Sequence, residues 1–300
     1  MLNPPVAAAD ETLLSPEFLR KLEQLTLVLG KTFAGRLQGE RRSIRRGNSV
    51  EFADFRNYTH GDDLRYVDWN VYARLEKLFL KLFVAEEDLQ LHLLIDTSRS
   101  MGFGAPDKLH CARRILAALG YIALCGMDRL AVTAITDRLG ARMRELRGRG
   151  NAFPLFSWLQ GLRADGATDF TRALQQYTLL APQPGLAVVV SDFLAPGIEE
   201  GVRALVGRKF SVTLIQTLAP EEIEPTLTGD LRLVDAETGE TREITVTSGL
   251  LARYRQRLAA HHELLEALAH RYGRNYVRTV TDEPFENLIL RYLKQRRVVE

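Results

Sequence analysis

The sequence has little cysteine, no long apolar run and no excess of one charge, and each shortage excludes a class of protein. Its two cysteines, Cys111 and Cys125, fall on one predicted helix at a separation of about 20 Å. A disulfide needs Cα atoms within roughly 7 Å, so these two cannot pair. The sequence is therefore not that of a disulfide-stapled secreted scaffold, and its cysteine usage fits a reducing compartment.

The sequence offers no candidate membrane span and no signal peptide. Its longest apolar stretch, residues 115–127, is shorter than the roughly 18 residues that indicate a membrane-spanning helix. Residues 1–10 lack the positive segment and apolar core of a secretion signal. We therefore expect a cytoplasmic protein.

Charge does not predict a nucleic-acid partner. The 40 Lys and Arg residues nearly balance the 38 Asp and Glu residues, which leaves a formal charge of +2. An arginine-rich stretch at 36–46 is typical of a solvated loop.

From residue 89 onward, apolar runs of strand length alternate with helical patterns. Strands are predicted at 89–95, 129–136, 186–190, 210–216 and 276–280. Helices are predicted from Ser15 to about Gly30, from a capping Ser248 to Gly273, and from Pro284 toward Arg296. This rhythm predicts an α/β fold, a doubly wound and mostly parallel sheet with helices on both faces. We expect three segments: an N-terminal helical segment (1–34), a region packed on the main domain (35–85), and the main domain (86–300) with a β-hairpin insertion near 231–246.

Oxygen-bearing side chains follow the ends of two of these strands. Asp96, Ser98 and Ser100 come after the first strand, and Asp192 follows a second buried strand, while Thr168 sits in a turn before a helix. Ligands of open α/β sheets collect at the carboxyl ends of the strands where the strand order reverses, so we expect these five to converge. Hydroxyl and carboxylate oxygens suit Mg²⁺, Mn²⁺ or Ca²⁺, and the last ligand would come from elsewhere.

The region before the sheet is rich in Asp, Arg and aromatic residues. Asp62, Asp63 and Asp68 are interpreted as members of structural ion-pair networks, which are a common use of such groups. The alternative makes one of them a catalytic acid or a metal ligand.

The five site residues resemble the metal-ion-dependent adhesion site of von Willebrand factor A domains. The Asp-x-Ser-x-Ser pattern is matched by residues 96–100, the threonine by Thr168 after Gly166-Ala167, and the distal aspartate by Asp192. Ala167 stands where the pattern has a second glycine.

A second resemblance lies upstream. The run Glu51–Trp69, followed by Ala73-Arg74, is similar to the signature of a bacterial family of von Willebrand A-like proteins catalogued as "domain of unknown function fifty-eight". Together the two resemblances run from about Gly47 to Arg278. They imply association with a MoxR-type AAA+ ATPase, as an adaptor or chaperone-like partner.

Three functions remain open at this point. The leading hypothesis is a non-enzymatic module that binds a partner's Asp or Glu through a divalent metal, because the motif lacks an activated nucleophile and a general base. The second is a Mg²⁺-dependent hydrolase or phosphotransferase, although no Gly-x-x-x-x-Gly-Lys-Ser/Thr loop occurs. The third is a metal-free scaffold whose serines only satisfy backbone groups of their loop.

Overall fold

The computed structural model describes residues 13–23, 52–60, 62–83, 89–181, 183–272, 275–285 and 289. The chain divides into two compact units: a larger unit of residues 1–28 with 89–300, and a smaller unit of residues 29–88. Three predictions fall outside the described residues: the second half of the N-terminal helix, the arginine-rich stretch, and most of the last helix.

A mostly parallel sheet forms the centre of the larger unit. Its strands are β3 (Gln90–Asp96), β4 (Arg129–Ile135), β5 (Leu139–Arg142), β6 (Leu146–Arg147), β7 (Leu186–Ser191), β8 (Ser211–Leu218) and β11 (Asn275–Val280). The order is β11-β8-β7-β3-β4-β5, and β6 also pairs with β4. The pairs from β11 to β4 are parallel, whereas β5 and β6 run antiparallel to β4. The predicted α/β architecture is confirmed.

The two central strands, β3 and β7, are buried along their whole length because helices cover both faces of the sheet. Leu93, Leu94 and Ile95 of β3 are fully buried, as are Val188 and Val189 of β7. Each such side chain contributes about 1.5–3 kcal/mol through its removal from water.

The helices occupy both faces. The described helices of the larger unit are α1 (residues 16–23), α3 (Lys108–Cys125), α4 (Ala152–Gly161), α5 (Phe170–Leu180), α6 (Ile198–Gly207), α7 (Pro220–Ile223) and α8 (Ser248–Arg271). Helices α5, α6 and α8 pack on the face that carries Leu94, Val189 and Leu214. On the other face, α3 approaches closely at Gly120, where an added Cβ would lie 2.6 Å from Leu155 of α4 and 3.4 Å from Leu93.

Helix starts follow capping chemistry. The Asp107 carboxylate accepts a bond from the His110 amide at the start of α3. Ser248 was expected to cap the last long helix, but Thr247 is the capping residue and accepts from the Leu250 amide at 3.2 Å. The two residues are adjacent hydroxyl-bearing residues, which sequence alone does not separate.

The predicted hairpin insertion consists of β9 (Gly229–Val234) and β10 (Thr241–Val246). The strands pair antiparallel, with Val234 opposite Thr241, and they form a two-stranded sheet separate from the central one. The connecting turn spans residues 235–240.

The smaller unit contains a second two-stranded sheet. Its strands, β1 (Phe52–Asn57) and β2 (Phe79–Phe83), run antiparallel. Between them lies the short helix α2 (Trp69–Leu75), whose first amides bond the carboxylate of Asp68.

Candidate functional site at the carboxyl edge of the sheet

The strands that end in the predicted motif are neighbours. In the β3–β7 pair, Ile95 lies opposite Val190, so Asp96 and Ser191 leave the sheet at the same edge. The strand order reverses between β4 and β7 around β3, which is the position where α/β sheets collect ligands.

Asp96 is fully buried at this edge. One of its carboxylate oxygens accepts a bond from the Ser98 amide at 2.8 Å, and the other accepts from the Ser191 hydroxyl at 2.6 Å. Burial, followed by the nearby negative charge of Asp192, raises the pKa of the Asp96 carboxyl to about 7. The charged form of Asp96 therefore gains from any added positive charge.

Ser98, Ser100 and Asp192 form a connected row of oxygens. The two serine hydroxyls lie 3.1 Å apart, and Ser100 donates to Asp192 Oδ2 at 2.8 Å. Asp192 itself is buried, and its Oδ1 accepts from the Leu194 amide at 3.1 Å. The structure therefore brings four of the five predicted residues to one place.

A buried lysine also belongs to this site. Lys108, the first residue of α3, donates from Nζ to Asp192 Oδ2 and to Glu222 Oε1, both at 2.6 Å. Its side chain is only 1% exposed. A buried ammonium needs such partners, because an unpaired charge is costly to remove from water.

Thr168 sits in a loop that is bonded to the serine turn. The Arg99 amide donates to the Gly166 carbonyl at 2.9 Å, and the Asp165 amide donates to the Thr97 carbonyl at 2.8 Å. The hydroxyl and amide of Thr168 both bond the carboxylate of Glu237, in the hairpin turn, at 3.2 Å.

Ala167 does not disturb this loop. The positive φ of the turn, 82°, belongs to Gly166, and Ala167 takes an ordinary negative-φ conformation. The second glycine of the resembled pattern is therefore not required here.

The residues at this edge fit a hard divalent cation. The donors are hydroxyl and carboxylate oxygens, which Mg²⁺ and Mn²⁺ prefer. Asp96, Asp192 and Glu222 bring three carboxylates, and Lys108 brings one ammonium, so negative charge exceeds positive charge. Among the described residues, no three His, Cys, Asp or Glu side chains form a metal-binding group by themselves, so the serine and threonine hydroxyls are essential to this fit.

The acidic residues of the smaller unit have structural partners. Asp62 accepts two bonds from Arg56 at 2.8 Å and further bonds from Thr59. Those bonds, led by the Thr59 hydroxyl, hold the pKa of the Asp62 carboxyl well below its usual range. Asp63 pairs with Arg65 at 2.7 Å.

Sequence reasoning missed four members of the site: Lys108, Ser191, Glu222 and Glu237. Ser191 could have been found, because it directly precedes Asp192 at the end of a buried strand. Lys108 carried a weaker signal as the first residue of the helix that follows the motif. Glu222 and Glu237 gave none, since Glu222 lies in the short helix α7 after β8 and Glu237 lies in the hairpin turn, and neither segment was predicted to reach the site.

Comparison with known proteins identifies a family. Residues 54–264 match the model of the family described as "Protein of unknown function DUF58". The uncharacterized protein Rv1480 of Mycobacterium tuberculosis is 27% identical over 292 residues, which covers 94% of this chain and 90% of the relative. The uncharacterized protein MAV169 of Mycobacterium avium is 31% identical over 137 residues, covering 46% of this chain and 79% of the relative.

Several solved structures resemble the chain at 14% identity. BatB from Bacteroides thetaiotaomicron covers 70% of this chain and 98% of its own, with a TM-score of 0.45. An aerotolerance-related membrane protein from Bacteroides fragilis covers 69% and 99%, with a TM-score of 0.43. The VWA domain of SpRpn10 covers 68% and 95%, with a TM-score of 0.40.

These comparisons correct the expected location. One of the resembling structures is described as a membrane protein, which contradicts the prediction that this chain is cytoplasmic. The prediction was wrong because it rested on the lack of a long apolar run, the lack of a secretion signal and the cysteine usage, and none of these three features determines where a protein is located. Within the part of the chain that the structure describes, no helix has the length and apolarity to cross a bilayer.

The family match covers well over half of the chain and includes most of the signature region and the carboxyl-edge residues. The larger unit has an α/β fold with a mostly parallel sheet. The chain therefore belongs to the family described as protein of unknown function DUF58.

Proposed function

We propose that this chain is a non-enzymatic protein-binding module that depends on a divalent metal. The observation that carries the proposal is the row of oxygens from Ser98, Ser100 and Asp192, joined at 3.1 and 2.8 Å beside the buried Asp96. Hard oxygen donors with surplus negative charge are the environment that Mg²⁺ or Mn²⁺ requires.

Each residue has a separate role in this proposal. Asp96 and Asp192 supply charge, and the hydroxyls of Ser98, Ser100 and Thr168 supply neutral donors. When bound, the cation supplies electrostatic attraction for a carboxylate of another protein. Because three of the five proposed donors are neutral hydroxyls, the cation would keep a coordination position for one more anionic oxygen, which a partner's Asp or Glu can supply.

Lys108 and Ser191 act as positioning residues. Lys108 fixes Oδ2 of Asp192, and Ser191 fixes Oδ2 of Asp96. Such supporting bonds hold ligand side chains in place, and their loss typically weakens metal binding.

The hydrogen bonds at the site favour a binding module over a hydrolase. The hydroxyls of Ser98 and Ser100 contact each other and the carboxylate of Asp192, which suits ligand donors better than activated nucleophiles. His92, which lies in the same strand as Asp96, is committed to the core, where its Nδ1 lies 2.6 Å from the Tyr177 hydroxyl.

The partner class in this proposal is a MoxR-type AAA+ ATPase, or a protein that donates an Asp or Glu to the metal. The family resemblance supports the ATPase as partner. The oxygen donors at the carboxyl edge support a partner that supplies an Asp or Glu carboxylate to the metal. No nucleic acid is part of the proposal, because the chain carries a formal charge of only +2.

A pull-down tests the proposal. The purified chain is incubated with the MoxR-type ATPase of the same genome, in Mg²⁺ and in excess chelator. We expect capture in Mg²⁺, loss of capture in chelator, and loss in Ser100→Ala. The matched control is Asp137→Asn, because Asp137 follows β4 at the same edge but bonds Thr136 and pairs with Arg138. Capture that persists in chelator would overturn the proposal.

A further inference from the structure

The hairpin turn places the carboxylate of Glu237 against Thr168, one of the predicted metal ligands. Glu237 accepts bonds from both the amide and the hydroxyl of Thr168 at 3.2 Å, although the two residues are 69 positions apart. Residues 235, 236 and 238–240 of the same turn are exposed, whereas Glu237 is half-buried. The turn therefore directs one acidic side chain inward.

Hydrogen bonds inside the turn hold Glu237 in this position. The carboxylate of Asp235 accepts from the amides of Glu237 at 2.9 Å and Thr238 at 2.7 Å. The Asp235 amide donates to the Glu240 carbonyl at 2.8 Å, and Gly239 supplies the positive φ of 75° that the turn needs. The turn is thus ordered by its own bonds.

A second contact joins the turn to the serine motif. Arg99, which lies between Ser98 and Ser100, donates from Nη1 to the Ala236 carbonyl at 3.5 Å. The tip of the hairpin is thus bonded both to the Thr168 loop and to the turn that carries the two serines. An isolated two-stranded hairpin is only marginally stable in water, so these tip contacts matter for its position.

From this geometry we infer that Glu237 is a ligand supplied by the chain itself. Its carboxylate takes the coordination position that the proposed function assigns to a partner's Asp or Glu. The inference rests on the proposed function, and it adds a regulatory consequence: a partner's acid group competes with Glu237, and the hairpin tip moves off Thr168 when the partner binds.

The same turn offers a matched control. Glu240 carries the same charge three residues away, and its carboxylate side chain is 71% exposed and lies 3.9 Å from Arg242. Replacing Glu240 by Gln changes the net charge of the hairpin as much as replacing Glu237 does. It leaves the contact with Thr168 in place.

Calorimetric titration of the full chain with Mn²⁺ tests the inference. Loss of one ligand group in Glu237→Gln should weaken Mn²⁺ binding by at least about 10-fold, because loss of even a hydrogen-bonding partner of a ligand typically costs about 10-fold to 100-fold. Glu240→Gln should bind as the wild type does. Hydrogen exchange of residues 229–246 gives a second readout: Mn²⁺ should slow exchange in the wild type and in Glu240→Gln, but not in Glu237→Gln.

The outcomes separate this inference from the proposed function. Equal Mn²⁺ affinity of the wild type and Glu237→Gln, with equal slowing of hairpin exchange, would overturn the role of Glu237 and leave the metal site standing. No Mn²⁺ binding by the wild type would overturn both. Far-ultraviolet circular dichroism of each variant shows that the fold is retained.

Discussion

The two acidic regions of this chain differ in how far along the sequence their partners lie. In the smaller unit, Asp62 bonds Arg56 six positions away and Asp63 bonds Arg65 two positions away. At the carboxyl edge of the sheet, Asp192 bonds partners 84 and 92 positions away. Short-range pairs shape a turn, whereas long-range pairs need the whole fold to bring them together.

The ion pairs at the sheet edge are also more deeply buried than those of the smaller unit. The side chain of Lys108 is 1% exposed, whereas that of Arg65 is 84% exposed. Exposed ion pairs contribute little to stability, because water and salt screen them. A buried pair is costly to break, since the remaining charge is left without a partner. The comparison therefore predicts large effects at the sheet edge and small ones in the smaller unit.

The largest effect is expected for Lys108→Met. The substitution leaves the carboxylates of Asp192 and Glu222 without their ammonium, which should lower the free energy of unfolding by about 3–5 kcal/mol. Urea denaturation in chelator measures it. Lys77→Met, at an exposed position of the smaller unit, is the control and should not change stability. Equal stability of the Lys108 variant and the wild type would break the comparison.

The two regions should lose their contributions to the free energy of unfolding over different pH ranges as the protein is acidified. Burial lowers the pKa of His92 in β3 from 6.5 to about 4. The unfolded chain binds this proton first, so the stability from neutral His92 is complete above pH 6.5 and is lost as the pH falls toward 4. The His92 contribution to this loss amounts to about 3 kcal/mol. It is measured as the difference from His92→Gln, because the raised pKa of Asp96 changes stability in the opposite direction over the same pH range in both proteins.

The smaller unit should respond only at lower pH. The pKa of Asp62 is depressed, so its contribution is complete above the ordinary Asp pKa of 3.8 and is lost below that value. Urea denaturation at a series of pH values, with His92→Gln as comparison, measures the first window. Equal changes in the stability of His92→Gln and of the wild type between pH 6.5 and 4 would contradict the assignment.

A smaller effect is expected for Ser191→Ala. The Ser191 hydroxyl donates to Asp96 at 2.6 Å and accepts from the Phe193 amide at 3.0 Å, and all three groups are buried. Leaving buried polar groups without a partner should cost about 1–3 kcal/mol of the free energy of unfolding. Ser248→Ala, at an exposed position, is the matched control. A stable Ser191 variant would show that water replaces the hydroxyl.

The smallest effect is expected for Asp63→Asn. The amide oxygen can still accept from the Arg65 amide, and the ion pair with Arg65 that is lost has an exposed guanidinium. We therefore expect no measurable change in the midpoint of thermal unfolding, which differential scanning calorimetry checks. A clear drop would mean that the smaller unit depends on this pair.

The sequence predicts well those site residues that follow directly from the alternation of strands and helices. Strands β3 and β7 are mostly apolar runs that end in oxygen-bearing residues, and the rule for carboxyl ends then places Asp96, Ser98, Ser100 and Asp192 together. Thr168 follows from its turn before α5. These positions depend on the regular alternation of strand and helix, which is visible in the sequence.

Other site residues depend on contacts that have no sequence signal. Glu237 reaches Thr168 only because the hairpin folds back over the edge, and the hairpin lies outside the strand-helix rhythm. Lys108, at the start of α3, meets both Asp192 and Glu222 of α7, and this meeting depends on loop lengths rather than on residue type. The cap of α8 was misplaced by one residue for a similar reason, since Thr247 and Ser248 both carry hydroxyls.

Calorimetric titration with Mg²⁺ tests the central claim most directly. It compares the wild-type chain with Asp96→Asn at the sheet edge and Asp62→Asn in the smaller unit, after circular dichroism has shown that all three are folded. We predict that the wild type and Asp62→Asn bind one Mg²⁺ with equal affinity and that Asp96→Asn does not bind. Equal binding by all three, or binding lost only in Asp62→Asn, would contradict the account.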